Sequence, residues 1–153
     1  MRSVKLPILA LAATVAFAPA LSARADAMPG KPPVFGVWRN PKNSVHLEIK
    51  DCGAATCGYV VWANSTAQAD ARKGGSPNLV GLQLLRDFVP EKNGAWRGKV
   101  FVPDLNMTFS GTAQVLDPDR LRAKGCVLAS IFCKSQIWTR VEGGAVMASR
   151  TAP

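Results

Sequence analysis

The chain has 153 residues, 48% of them apolar, with 19 Lys and Arg against 10 Asp and Glu and a formal net charge of +9. That length carries one domain with a modest core and leaves too little for two. The charge is spread, with no Lys/Arg run longer than Arg72-Lys73; it reads as a solubilising surface, able to make weak contact with anionic envelope surfaces, ahead of a dedicated anion site.

Residues 1–25 open with Arg2 and Lys5, continue through an apolar stretch from Leu6 to Ala18 and end in Ala23-Arg24-Ala25, a small-x-small cleavage signal. The apolar stretch is well short of the roughly 20 residues that a membrane span needs, so these residues read as a secretory signal peptide and no integral membrane span is expected. The protein is expected in the periplasm or secreted medium, where nucleic acid is not a partner. Removing Arg2, Lys5 and Arg24 leaves 16 basic residues against 10 acidic ones, a charge of +6 on the mature chain. Residues 26–35 read as a leader, 36–141 as a β domain and 142–153 as a C-terminal tail.

The first strand is expected at Phe35-Gly36-Val37-Trp38-Arg39, after the Pro/Gly-rich leader. Val45 to Lys50 alternates apolar and polar, the period of a half-buried strand, which turns His46 outward with Glu48 and Lys50. Tyr59 to Ala63 is β-branched and aromatic and returns from a small-residue turn flanked by Cys52 and Cys57. From Asn64 to Asn78 the chain is polar and small, which predicts a long connection arching over an open barrel end. A strand is expected over Leu79–Leu85, with Gly81 weighing against a helix.

Ala95–Val102 and Met107–Leu116 form a hairpin about Pro103-Asp104-Leu105-Asn106. Met107, Phe109, Gly111, Ala113 and Val115 share one face of its second strand, with Thr108, Ser110, Thr112 and Gln114 on the other. After the turn at Asp117-Pro118-Asp119, Arg120, Arg122 and Lys124 alternate with Leu121, Ala123 and Gly125, which puts the basic residues outside. The last strand runs from Ser135 to Val141. Eight short antiparallel segments joined in sequence predict an all-β, single up-and-down barrel, whose interior is just wide enough for a small ligand, with a sandwich as the alternative arrangement.

Four cysteines in an exported chain are expected as disulfides. Cys52 with Cys57 and Cys126 with Cys133 each bracket a short reversal, so local pairing is the simplest geometry. The spacing matches no zinc motif, and no metal or cofactor is expected. One histidine on an outer strand face and four committed thiols leave no nucleophile and base together, so no catalytic residue is assigned and no enzyme is expected.

Gly36-Val37-Trp38, Cys57-Gly58-Tyr59-Val60-Val61-Trp62, Gly81-Leu82-Gln83-Leu84-Leu85, Trp96-Arg97-Gly98 and Gly125-Cys126 through Cys133 to Arg140 together resemble a bacterial envelope family, domain of unknown function 2147. The resemblance implies an exported lipocalin-like barrel that binds a small apolar molecule. Where many members turn through Asp-Gly, this chain has Asp104-Leu105-Asn106. A glycine two residues before the tryptophan of the first strand is also how lipocalin-type barrels begin, with a late basic residue over the indole; that likeness assigns Trp38 and Arg140 a structural role at the closed end. Gly94-Ala95-Trp96-Arg97 repeats the Gly-x-Trp-Arg pattern.

The expected function is binding of a small apolar or amphipathic molecule by Trp38, Met107, Phe109, Gly111 and Ala113, the small residues leaving room inside. The alternative is an envelope adaptor that uses its basic exterior (Arg97, Lys99, Arg120, Arg122, Lys124) and no bound small molecule.

Overall fold

The computed structural model describes residues 33–127 and 132–143. Eight antiparallel strands follow one another around a closed barrel in chain order. They are β1 (Gly36–Arg39), β2 (Val45–Asp51), β3 (Thr56–Ala63), β4 (Gln83–Pro90), β5 (Ala95–Val102), β6 (Met107–Asp117), β7 (Arg120–Val127) and β8 (Phe132–Arg140), with one helix, α1 (Ser65–Lys73), between β3 and β4. This is the expected up-and-down barrel, and the ring closes where Trp38 pairs with Arg140 and Arg39 with Thr139. The signal-peptide residues 1–25 and nearly all of the tail lie outside the described residues.

Strand alternation builds the interior. In β2, Leu47 and Ile49 are buried while Lys50 is exposed, and Trp38, Val60, Phe88, Ala113 and Leu121 complete a shared core. At one end lie the β2–β3, β4–β5 and β6–β7 turns, together with Trp38 and Arg140. The other end carries α1, the β1–β2 turn and the β5–β6 turn, where Asn106 (φ 50) takes the left-handed conformation that glycine would otherwise supply.

Two local expectations are corrected. The polar arch from Asn64 to Asn78 contains a helix: the Asn64 side chain caps it by accepting from the Ala67 N–H at 2.9 Å, and Arg72 and Lys73 stand in its last turn, where cations are favoured. Ala67 and Ala71, four residues apart, are all it turns to the core. The fourth strand begins at Gln83 and not at Leu79, because Leu79 to Leu82 forms a turn about Gly81 (φ 86) held by Gly81 N–H to Val60 O (2.7 Å) and Val60 N–H to Leu82 O (3.0 Å). Farther along, β4 carries a bulge at Asp87 (φ 54), beside which Phe88 is buried in the core.

Candidate ligand-binding mouth

The closed end is a tied knot around one indole. Trp38 is fully buried, and its Nε1–H donates to Val34 O at 2.9 Å. The Arg140 guanidinium lies 4.0 Å from the centroid of the Trp38 ring. It also donates to Phe35 O (2.9 Å), Pro33 O (2.6 Å) and Pro118 O, so one side chain joins the incoming chain, the β6–β7 turn and the β1–β8 seam. Gly36 (φ 130) is required here: a Cβ would meet the Arg140 Nη1 at 2.5 Å. Burial draws the Arg140 pKa below its ordinary value, against a small opposing pull from Asp119. Trp38 therefore belongs to the foundation of the barrel and not to a ligand surface. The second Gly-x-Trp-Arg does something different: Arg97 is paired to Glu91 on the outside, and Trp96 packs on the core.

The remaining four expected ligand residues lie along the inner face of β6 but divide between packed and open regions. Ala113 is buried in the core. Gly111 does not leave room for a ligand, which corrects the expectation: a Val100 methyl already occupies the place of its missing Cβ, with the Phe88 ring 3.5 Å away. Gly98, paired to Gly111, is filled from the same side by Phe88. The interior around Phe88 is close-packed, as protein interiors are.

Toward the other end the packing thins. Phe109 is half-buried and Met107 is 52% exposed. Leu105 (57%), on the β5–β6 turn, and Phe132 (64%), at the start of β8, are exposed at the same end of the barrel. Gly125, paired to Gly111 across β6 and β7, meets nothing within 4 Å of its Cβ position. Residues paired across antiparallel strands share a face, so Gln136 (opposite Ala123) and Lys134 (opposite Gly125) belong to the inner wall, and both are exposed. Below them Trp138, opposite Leu121, packs on the core with its Nε1 buried and without a hydrogen-bond partner. β8 is nine residues long, but β1 pairs only with its last two. Phe132 to Trp138 of β8 thus have no partner on β1, and Leu105, Met107 and Phe132 are exposed at this end of the barrel. Sequence reasoning missed Phe132, Lys134, Gln136 and Trp138 as wall residues; the alternation of β8 against Ala123 and Gly125 was the available signal.

The outer surface mixes polar and charged side chains with exposed Trp62, Val89 and Ile137. His46 hydrogen-bonds Asn43 Oδ1 (2.7 Å) and packs at a tilt against Trp62 with centroids 4.6 Å apart; partial burial and, secondarily, the charge of Arg39 lower its pKa from the ordinary value. Among the described residues no group of three or more His, Cys, Asp or Glu side chains is placed to hold a metal. Disulfides join Cys52 to Cys57 and Cys126 to Cys133, the two local pairings expected. On the outside of β5 to β8, Arg97, Arg122 and Lys124 border a hollow of about 450 Å³ floored by Thr112 and Gln114. Arg120 is paired to Asp117 and Arg97 to Glu91, so part of this basic character is already compensated.

A family model for uncharacterized proteins conserved in bacteria, DUF2147, matches residues 36–140, from the glycine of β1 to the arginine over its tryptophan. The chain belongs to that family. Among solved structures it is similar to protein HP1028 from Helicobacter pylori, described as belonging to the lipocalin family, with a TM-score of 0.54 and 12% identity over 72% of this chain and 84% of that one. That likeness is one of fold. No curated protein matches. In this DUF2147 chain the family match spans all eight strands, from Gly36 to Arg140.

Proposed function

We propose that this DUF2147 barrel is an exported carrier that binds a small amphipathic molecule, without catalysis, at the open end. The observation that carries the reading is the contrast along one wall: Gly98 and Gly111 are filled by Phe88 and Val100, whereas Gly125 in the same row faces open space beneath exposed Leu105, Met107 and Phe132. Exposed apolar side chains at one end of a barrel lower their free energy by covering with an apolar ligand. Two disulfides and the signal peptide read from residues 1–25 support a periplasmic or secreted setting. The test is titration with an environment-sensitive apolar fluorophore. Binding should saturate and be lost in Gly125→Leu, with the urea midpoint retained; unchanged uptake by that variant would move the site elsewhere.

The basic outer hollow favours a second reading, an adaptor on an anionic envelope surface. Arg122 and Lys124 flank a hydroxyl- and amide-lined floor. Retention on anionic vesicles that falls with salt, and falls further in Arg122→Gln/Lys124→Gln, would support it.

A further inference from the structure

We propose that the ligand carries an anionic headgroup, a carboxylate for preference, and enters the barrel head first, its chain lying at the rim; this rests on the carrier reading above. Polar donors follow an apolar rim in order down β8. Phe132 stands at the rim, exposed and apolar, and below it on the inner face come Lys134, Gln136 and Trp138. Residues two apart on a strand are separated by roughly 7 Å. An ammonium, an amide and an indole N–H thus follow one another down one wall, and each can donate a hydrogen bond.

The surroundings sharpen the choice. Facing these donors are Gly125, Ala123 and Leu121, which offer no side-chain acceptor. Trp138 Nε1 is, among the described residues, the one buried side-chain nitrogen or oxygen without a hydrogen-bond partner. A buried N–H left unpaired is costly, so an acceptor delivered beside it is stabilising. The atom is closed off from solvent in this state, so the acceptor reaches it only as neighbouring side chains shift. An oxygen at the level of Gln136 lies one rung above the indole and one rung below Lys134. A carboxylate has two oxygens and no proton to donate, which suits a wall of donors; an alcohol or ester lacks the charge that Lys134 favours. The reverse orientation would set an alkyl chain against Lys134 and Gln136 and leave the head beside Leu105, Met107 and Phe132. Desolvating an ammonium and an amide against hydrocarbon without compensation is unfavourable.

The experiment competes the bound fluorophore with dodecanoic acid and its methyl ester, on the wild-type chain and on Lys134→Met, Gln136→Leu and Trp138→Phe. The acid should bind about tenfold more tightly than the ester, as one charge-assisted hydrogen bond would give, and each substitution should narrow that ratio while leaving ester affinity nearly unchanged. A dodecanoate spin-labelled at the chain end should remain accessible to a soluble relaxation agent. Equal affinities for acid and ester, or a buried chain end, overturn the head-first assignment while leaving the carrier reading in place. If neither compound nor the fluorophore binds, the carrier reading itself fails. Trp138→Phe removes the unpaired N–H, so the folded barrel should persist and the comparison stay readable.

Discussion

Replacing Arg140 with methionine isolates the knot at the closed end, because methionine retains much of the aliphatic stem against the indole and removes the charge and every donor. Four contacts disappear: the guanidinium at 4.0 Å over Trp38 and the bonds to Phe35 O, Pro33 O and Pro118 O. The cation over the ring contributes on the order of 1 kcal/mol. The Phe35 bond is part-buried and, as a bond from a charged donor, contributes about 1.5 to 2 kcal/mol. The other two carbonyls are solvent-exposed and can be rehydrated, so they add only a few tenths. Burial opposes the charged form, as the lowered pKa indicates, and discounts the total. A loss of about 2 to 3 kcal/mol results. With m near 1.5 kcal/mol/M for a domain of this size, the urea midpoint followed by tryptophan fluorescence should fall by roughly 1.3 to 2 M at constant slope. Arg140→Lys should recover less than half of it, since an ammonium cannot reach three carbonyls from a planar fork. A midpoint shift below about 0.3 M would refute the assignment of closure to this residue.

The glycine row gives a paired prediction: Gly111→Ala should cost about 1 to 3 kcal/mol by forcing Val100 aside, whereas Gly125→Ala should change stability by less than about 0.5 kcal/mol, both read from urea unfolding. Cys52→Ala/Cys57→Ala and Cys126→Ala/Cys133→Ala should each lose about 2 kcal/mol on the chain-entropy account and still fold, as circular dichroism would report. His46 has a folded pKa below its unfolded value, so the unfolded chain binds the proton more readily. Stability should therefore fall as pH drops through the unfolded value of 6.5 toward the lower folded one and level off below it; His46→Gln should flatten that segment of the curve.

The strand order was legible because each strand's signal is local. Alternation in Val45 to Lys50 and in Met107 to Leu116 survives intact in β2 and β6, and the cysteine pairs bracket reversals that the chain makes. Where the reading slipped, the deciding contact was distant or slight. α1 hides because its only apolar anchors are Ala67 and Ala71, too small to register as a period, while its start depends on the cap at Asn64. Leu79 to Leu85 looks like one strand because it is apolar throughout, yet the main-chain bonds of Val60 divide it into a turn and a strand.

The candidate site was harder to read for a related reason: in a barrel, what a small residue leaves vacant depends on the wall opposite. Gly98, Gly111 and Gly125 form one row across three strands, and their own sequence contexts do not distinguish them. Phe88 does. The bulge at Asp87 accompanies a ring packed against Gly98 and Gly111, beyond whose reach Gly125 lies. Room for a ligand is thus set by a residue on β4 whose role no pattern within β6 or β7 discloses. The same geometry explains why Met107 and Phe109 fall toward the opening while Ala113 on the same face belongs to the core: successive inward positions on β6 pass from the exposed rim to the packed base within a single strand.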